Sequence, residues 1–249
     1  GGREADIKEG GATYREYLLA NQASSAIAME ASELMQNIRE SVRFNAKTNT
    51  FDVVDADILR NQDVDYLARE AALSNNPDIK KAASWLLIEV GENIGIKSSS
   101  MHDVYEARKV GKILKKITVP ANNIRGMSFD TMETGFDVMK QNNGIVIFEI
   151  ARSEIDYTKQ PLYEYSAMVY AAAIKAGYKG KIFIQLDHAQ YKKEKYFGFK
   201  GKQADPNGAR QDIVKLIDEA VDARIFNIDV DPSSLMIAGN LKKQDATNP

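Results

Sequence analysis

Between Lys181 and Gln190 the chain reads Lys-Ile-Phe-Ile-Gln-Leu-Asp-His-Ala-Gln: an apolar run that ends in a carboxylate and an imidazole side by side, followed by a polar, lysine-rich segment. This is how a buried parallel strand looks when its C-terminal end carries chemistry. The strand holds the pair rigidly, and the loop after it admits a ligand.

The pattern on both sides of this strand sets the fold class. A short strand is expected from Ile117 to Ala121, and Ser128 caps a helix carrying Phe129, Met132, Phe136 and Met139 that stops at Asn142-Asn143-Gly144. Next come a strand from Ile145 to Ile150 and a helix from Pro161 through Tyr165, Met168, Val169 and Ala172 to Gly177. After the central strand, Asp205-Pro206 opens a helix through Ile213, Leu216, Ile217 and Val221, and Ile225 to Val230 reads as another strand. Strand alternating with helix across tight joints means right-handed crossovers and a parallel sheet. Polar residues gather after the strand ends, which in a (β/α)8 barrel share the face that carries the active site. The expected fold is therefore α/β, of the TIM-barrel type. About four βα units fall in residues 115–249, where a whole barrel needs eight and typically ~250 residues, so the chain is expected to stop half way.

Residues 1–114 read as a helical extension. Leu18, Ala26, Ile27, Met29, Leu34, Met35 and Ile38 recur at helical spacing, as one long helix or two short ones. Phe44 to Phe51 is a loop or short hairpin, and Asp57 to Leu73 is helical again. Asn76-Pro77 opens a helix that Gly95 closes. Ser100-Met101-His102-Asp103 reads as a capping box, with Ser100 as cap and Asp103 reaching back, which makes His102 a capping or solvated histidine rather than a ligand. The glycine-rich stretch Gly1 to Gly11 is expected to be mobile. The apolar stripes of this region either cover the N-terminal end of the barrel or make a subunit contact, and a homo-oligomer is expected.

Composition narrows the partners. With 33 basic and 35 acidic residues the formal charge is -2, so electrostatics give no reason to expect nucleic acid or an anionic membrane. The longest apolar run, near Ile145 to Ile150, is far shorter than the ~20 residues of a membrane span, and no signal segment is legible, so a cytoplasmic protein is expected. The chain has no cysteine, so a metal must be held by nitrogen and oxygen. Only His102 and His188 supply imidazole. Tyr191-Lys192-Lys193-Glu194-Lys195-Tyr196 is too brief for a nucleic-acid patch and reads better as an active-site loop whose lysines attract a phosphorylated sugar, or as a solvated loop.

Four segments in order carry a resemblance: Val119-Pro120-Ala121-Asn122-Asn123-Ile124-Arg125-Gly126, Phe148-Glu149-Ile150-Ala151-Arg152-Ser153-Glu154, Phe183 through Gln190, and Phe226-Asn227-Ile228-Asp229-Val230-Asp231-Pro232-Ser233-Ser234-Leu235. Together they resemble the first four strands of class II, metal-dependent ketose-bisphosphate aldolases, in the fructose-bisphosphate aldolase-like branch whose members carry a helical segment before the barrel. The resemblance spans roughly Pro77 to Leu235. It implies zinc-dependent, reversible aldol cleavage of a ketose 1,6-bisphosphate, such as fructose 1,6-bisphosphate to dihydroxyacetone phosphate and glyceraldehyde 3-phosphate, with another divalent metal as an option. By the same match His188 is a metal ligand, and Asp187 is the catalytic carboxylate that takes the proton of the C4 hydroxyl. Asn123, Ser153 and Asp231 match substrate-binding positions, with Asp229 competing with Asp231 for the last.

Two departures accompany the match. Leu186 stands where relatives often carry glycine, and its bulk is expected to narrow the site. The family's other two metal histidines lie after the fourth strand, where no histidine follows Leu235. The expectation is a fragment of a longer aldolase, inactive by itself. The alternative is a non-catalytic barrel subunit that structurally supports a catalytic partner.

Overall fold

The computed structural model describes residues 14–21, 23–113 and 118–236. The expectations for Gly1 to Gly11, for Ile117 and for the segment after Met236 lie outside the described residues.

Helix α1 (14–20) and helix α2 (Ser25–Asn37) are separate, because Ser24 caps the second: its hydroxyl accepts the Ile27 N–H at 3.2 Å. An antiparallel hairpin follows, β1 (Val42–Asn45) with β2 (Thr50–Val53). Phe44 and Phe51 are paired across it and both rings pack on buried Tyr14. Ala56–Ile58, a π-helical turn Leu59–Asp63 and α3 (Val64–Leu73) run on without a break. Helix α4 (Pro77–Asn93) starts as the sequence requires, with Asn76 Oδ1 accepting the Asp78 N–H at 2.9 Å and Pro77 in the first turn, where a missing N–H leaves no bond unmade. Then come β3 (Ile96–Ser98) and α5 (His102–Lys109). The expected capping box does not form. Ser100 Oγ accepts the His102 N–H at 3.2 Å, but Asp103 pairs with Lys181 at 3.0 Å instead of reaching back.

The second half alternates strand and helix as expected: β4 (Ala121–Asn123), α6 (Ser128–Asn142), β5 (Ile147–Ala151), α7 (Arg152–Thr158), α8 (Leu162–Lys175), β6 (Gly180–Asp187), α9 (Lys193–Phe197), α10 (Pro206–Asp222) and β7 (Asn227–Ile228). Its first strand lies at Ala121–Asn123 rather than Ile117–Ala121, and its last is cut to Asn227–Ile228. The fold is α/β, and β4, β5, β6 and β7 are neighbours in chain order, all parallel. Among the described residues the sheet has five strands and is open, so the closed eight-stranded barrel is not formed by them. Two short helices, α7 and α9, stand where polar loops were expected.

The fifth strand is β3, from the stretch assigned to the helical extension. It pairs with Gly180 to Ile182 of β6, whereas β7 pairs with Gln185 and Leu186, so two short segments divide one edge of the central strand. Asn227 joins them: its Oδ1 accepts the Met101 N–H at 2.7 Å, and its Nδ2 donates to Ser99 O at 3.1 Å and Ile184 O at 3.0 Å.

Strand alternation gives the sheet two faces. Phe148, Ile150, Ile182, Ile184 and Leu186 join the main core beneath the helices. Helix α8 is buried along nearly its whole length, as its all-round apolar sequence demands. It packs closely on α4, where an added Cβ on Gly91 would lie 2.5 Å from the Tyr170 ring. On the opposite face Ile147 and Phe183 form a smaller cluster with Met101 and Val104. The start of α5 thus covers the lower part of a face that a half barrel would otherwise bare to water.

Candidate functional site

Above that apolar pair the same face turns polar, row by row. The register aligns Asn123 with Glu149, Glu149 with Gln185 and Gln185 with Asn227, one residue from each of four neighbouring strands. Glu149 is buried and accepts from Gln185 Nε2 at 2.9 Å. Burial, then the nearby charges of Asp187 and Glu154, push its carboxyl upward, so it holds a proton more readily than a solvated glutamate.

One step further along lies Asp187, aligned with Ala151 at the end of β6. Its Oδ2 accepts from Asn123 Nδ2 at 3.1 Å and from His188 Nδ1 at 2.9 Å. The hydrogen bond to Asp187 is the largest influence on His188 and raises its pKa, aided by the charges of Asp229 and Asp231. His188 has φ +44°, a left-handed backbone that non-glycine residues rarely adopt. The turn is secured on both sides: Gln190 N–H donates to His188 O at 2.7 Å and Ala189 N–H to Asp229 O at 2.8 Å. That bend seats the imidazole beside Asp187 instead of carrying it onward along the strand.

Asp229 comes to the same place from β7, where its N–H donates to Leu186 O at 2.9 Å. One ligand atom each from Asp187, His188 and Asp229 lie within 4.8 Å of one another, an arrangement that can hold a metal ion. The donors are one imidazole and two carboxylates. This hard to borderline set suits Zn2+, Mn2+ or Fe2+ and offers no soft ligand. Asp187 holds His188 Nδ1, the usual way a carboxylate fixes a liganding imidazole, which leaves Nε2 as the ring nitrogen for an ion, with Asp187 then orienting the imidazole. The second histidine, His102, is exposed at the start of α5 and outside this group.

No protein-family model, curated protein or solved structure matches the chain.

Of the residues singled out from the sequence, Asn123, Asp187 and His188 are hydrogen-bonded together. Asp231 is close by but turned to other work, its Oδ2 accepting from Gln190 Nε2 at 2.7 Å and its Oδ1 from the Ser233 N–H at 2.7 Å. Burial pushes its carboxyl up, but these bonds and His188 outweigh it and lower the pKa. Ser153 lies in the first turn of α7, exposed, and no hydrogen bond joins it to the cluster. Leu186 does not narrow the site. It is fully buried on the opposite face, in the main core, because alternation along β6 sends residues 182, 184 and 186 away from Asp187.

Glu149, Gln185 and Asn227 were not picked out from the sequence, and Glu154 stood out only as one of the polar residues after a strand end, with no role of its own. The available signal was a polar side chain inside an apolar strand run, as in Phe148-Glu149-Ile150. Beside the mouth, Arg152 donates to Gln190 O at 2.6 Å and lines a cleft of about 330 Å³ with Lys192 and Lys215 against Asp156, Asp212 and Glu219. No helix among the described residues is long and apolar enough to cross a membrane.

Proposed function

We propose that this protein acts in divalent-metal-dependent, reversible aldol cleavage of a phosphorylated ketose, in the manner of the class II ketose-bisphosphate aldolases that its strand-end segments resemble. The observation that carries the reading is the convergence of Asp187, His188 and Asp229 at the ends of two neighbouring parallel strands. Packing alone gives no reason to gather a histidine and two carboxylates on one sheet face.

His188 and Asp229 are the residues that would hold the cation. Bound there, a divalent ion supplies Lewis-acid stabilisation of the negative charge that develops on the ketose carbonyl oxygen. Asp187 handles the proton. As the C3–C4 bond breaks, the C4 hydroxyl becomes an aldehyde and gives its proton to this carboxylate, while the bonding electrons pass to C3. In synthesis the same proton returns to the new hydroxyl. Asn123 fixes one oxygen of Asp187, and Ser153, in the first turn of α7, and Asp231, just after β7, are the proposed contacts to the sugar. Lys192, at the N-cap position of α9, and Lys193, its first residue, are both exposed and favour approach of a phosphorylated substrate.

A second reading is favoured by one feature: the group has a single histidine and two carboxylates where the resemblance implies three histidines. In this reading the protein is a non-catalytic barrel subunit supporting a catalytic partner. A coupled assay with fructose and tagatose 1,6-bisphosphates, with zinc or manganese and then with chelator, separates the two. Cleavage that chelation abolishes, and that Asp187→Asn abolishes while metal binding persists, supports the enzyme. Metal binding without turnover supports the subunit, and absence of metal binding defeats the proposed centre.

A further inference from the structure

Glu154 is more enclosed than Glu149, at 4% against 7% exposure, although it belongs to a short helix that begins right after β5. Both of its oxygens are committed. Oε2 accepts the Ala151 N–H at 2.8 Å and Asn123 Nδ2 at 3.0 Å, and Oε1 takes Arg125 Nε. Burial raises its pKa, but these donors outweigh burial and leave it lowered, so the group is an anion at the strand ends.

The amide of Asn123 stands between two carboxylates. Its Nδ2 donates both to Glu154 and to Asp187 Oδ2. A flipped amide would set its carbonyl oxygen against both carboxylates, so Glu154 fixes which way Asn123 points. Asn123 in turn fixes Asp187, whose hydrogen bonds from Asn123 and His188 both converge on Oδ2.

We infer that Glu154 is a positioning residue for Asp187, acting through the Asn123 amide without touching the substrate. The role rests on the reading of Asp187 as the proton carrier. It makes the Arg125–Glu154–Asn123–Asp187 chain, which joins the ends of three neighbouring strands, a support for the reactive carboxylate rather than a surface ion pair.

Glu154→Gln keeps an oxygen for the Ala151 N–H and for Asn123, and Arg125, whose side chain is 58% exposed, stays hydrated. Glu154→Ala removes the acceptor altogether. In the cleavage assay Glu154→Ala is expected to lower kcat about 10–100-fold with KM little changed, the usual size of an outer-shell loss. Glu154→Gln is expected to restore most of it. The double variant Glu154→Ala with Asn123→Ala should be no slower than Asn123→Ala alone, because the carboxylate acts only through that amide.

A readout without turnover is 15N relaxation of the Asn123 side-chain amide: rigid in the wild type and in Glu154→Gln, mobile in Glu154→Ala. Should the alanine variant fail to fold, Glu154→Asp withdraws the acceptor by one methylene and serves the same comparison. Full kcat in Glu154→Ala, losses that multiply in the double variant, or a rigid Asn123 amide without Glu154 would each overturn the role. A wild-type protein with no cleavage activity overturns the reading of the site instead, and the relaxation measurement then decides the positioning role on its own.

Discussion

His188 and Asp229 belong to the ends of different strands, yet their ligand atoms lie within 4.8 Å of each other with Asp187 beside them. The central strand supplies the imidazole, and β7 supplies the second carboxylate through backbone bonds to Leu186 and Ala189. Wild-type protein titrated with Mn2+ or Zn2+ is therefore expected to bind one equivalent. His188→Ala and Asp229→Ala should each weaken it by at least about 100-fold, beyond what loss of an outer-shell partner costs. Calorimetry showing wild-type affinity in Asp229→Ala would remove that residue from the centre.

Much of this arrangement was legible in the sequence. The Asp187–His188 pair at the end of an apolar run, the parallel alternation of strand and helix, and the caps at Asn76 and Asp205 follow from local rules that the fold obeys. What could not be read was long-range. Ile96 to Ser98 is too short to announce itself as a strand, and only pairing with β6 makes it one. Asp229 and Asp231 are equivalent by composition, and the choice between them depends on β7 ending at Ile228, which gives Asp229 to the cluster and Asp231 to the Gln190 turn. Glu149 and Glu154 are ordinary carboxylates until the register shows which side chains they face.

The close approach of α4 and α8 carries a stability prediction. A Cβ at Gly91 would lie 2.5 Å from Tyr170 Cδ1, and the Tyr170 hydroxyl is held by the Ser98 N–H at 3.3 Å and by Glu92 at 3.4 Å, so the ring has little room to yield. Alanine in mid-helix normally gains up to about 1 kcal/mol over glycine. Here overpacking, about 1–3 kcal/mol, opposes that gain and should exceed it. Urea unfolding is expected to show Gly91→Ala less stable than wild type, and an unchanged or higher midpoint would mean that the helices separate freely.

Glu89 sets a pH dependence. Burial raises its pKa; the Tyr14 hydroxyl, donating at 2.8 Å, and the charge of Arg224 pull the other way, and Glu92 adds to the rise. Because the folded pKa lies above the unfolded one, the contribution of this group is fully present below the unfolded value near 4.5 and is lost as pH rises through the folded value. Glu89→Gln still accepts the Tyr14 hydroxyl and cannot ionise. Unfolding midpoints measured from about pH 4.5 to pH 7 should therefore fall more steeply for wild type than for Glu89→Gln. Parallel curves would show that Glu89 titrates alike in both states.

Asn227 links the fold to the site, and its loss should be felt in both. Its side chain satisfies the Met101 N–H and two backbone carbonyls, holding β3 and β7 end to end along one edge of β6. Asn227→Ala leaves those buried groups unpaired, at about 1–3 kcal/mol for each group that water cannot reach. Because Asp229 is only two residues further on, loosening β7 also frees the carboxylate from its place beside His188. The expected result is lower urea stability together with weaker Mn2+ binding, although Asn227 itself is not among the candidate ligands. A variant that lost stability but kept full metal affinity would show that Asp229 is placed by its own backbone bonds to Leu186 and Ala189, independently of the joint below it.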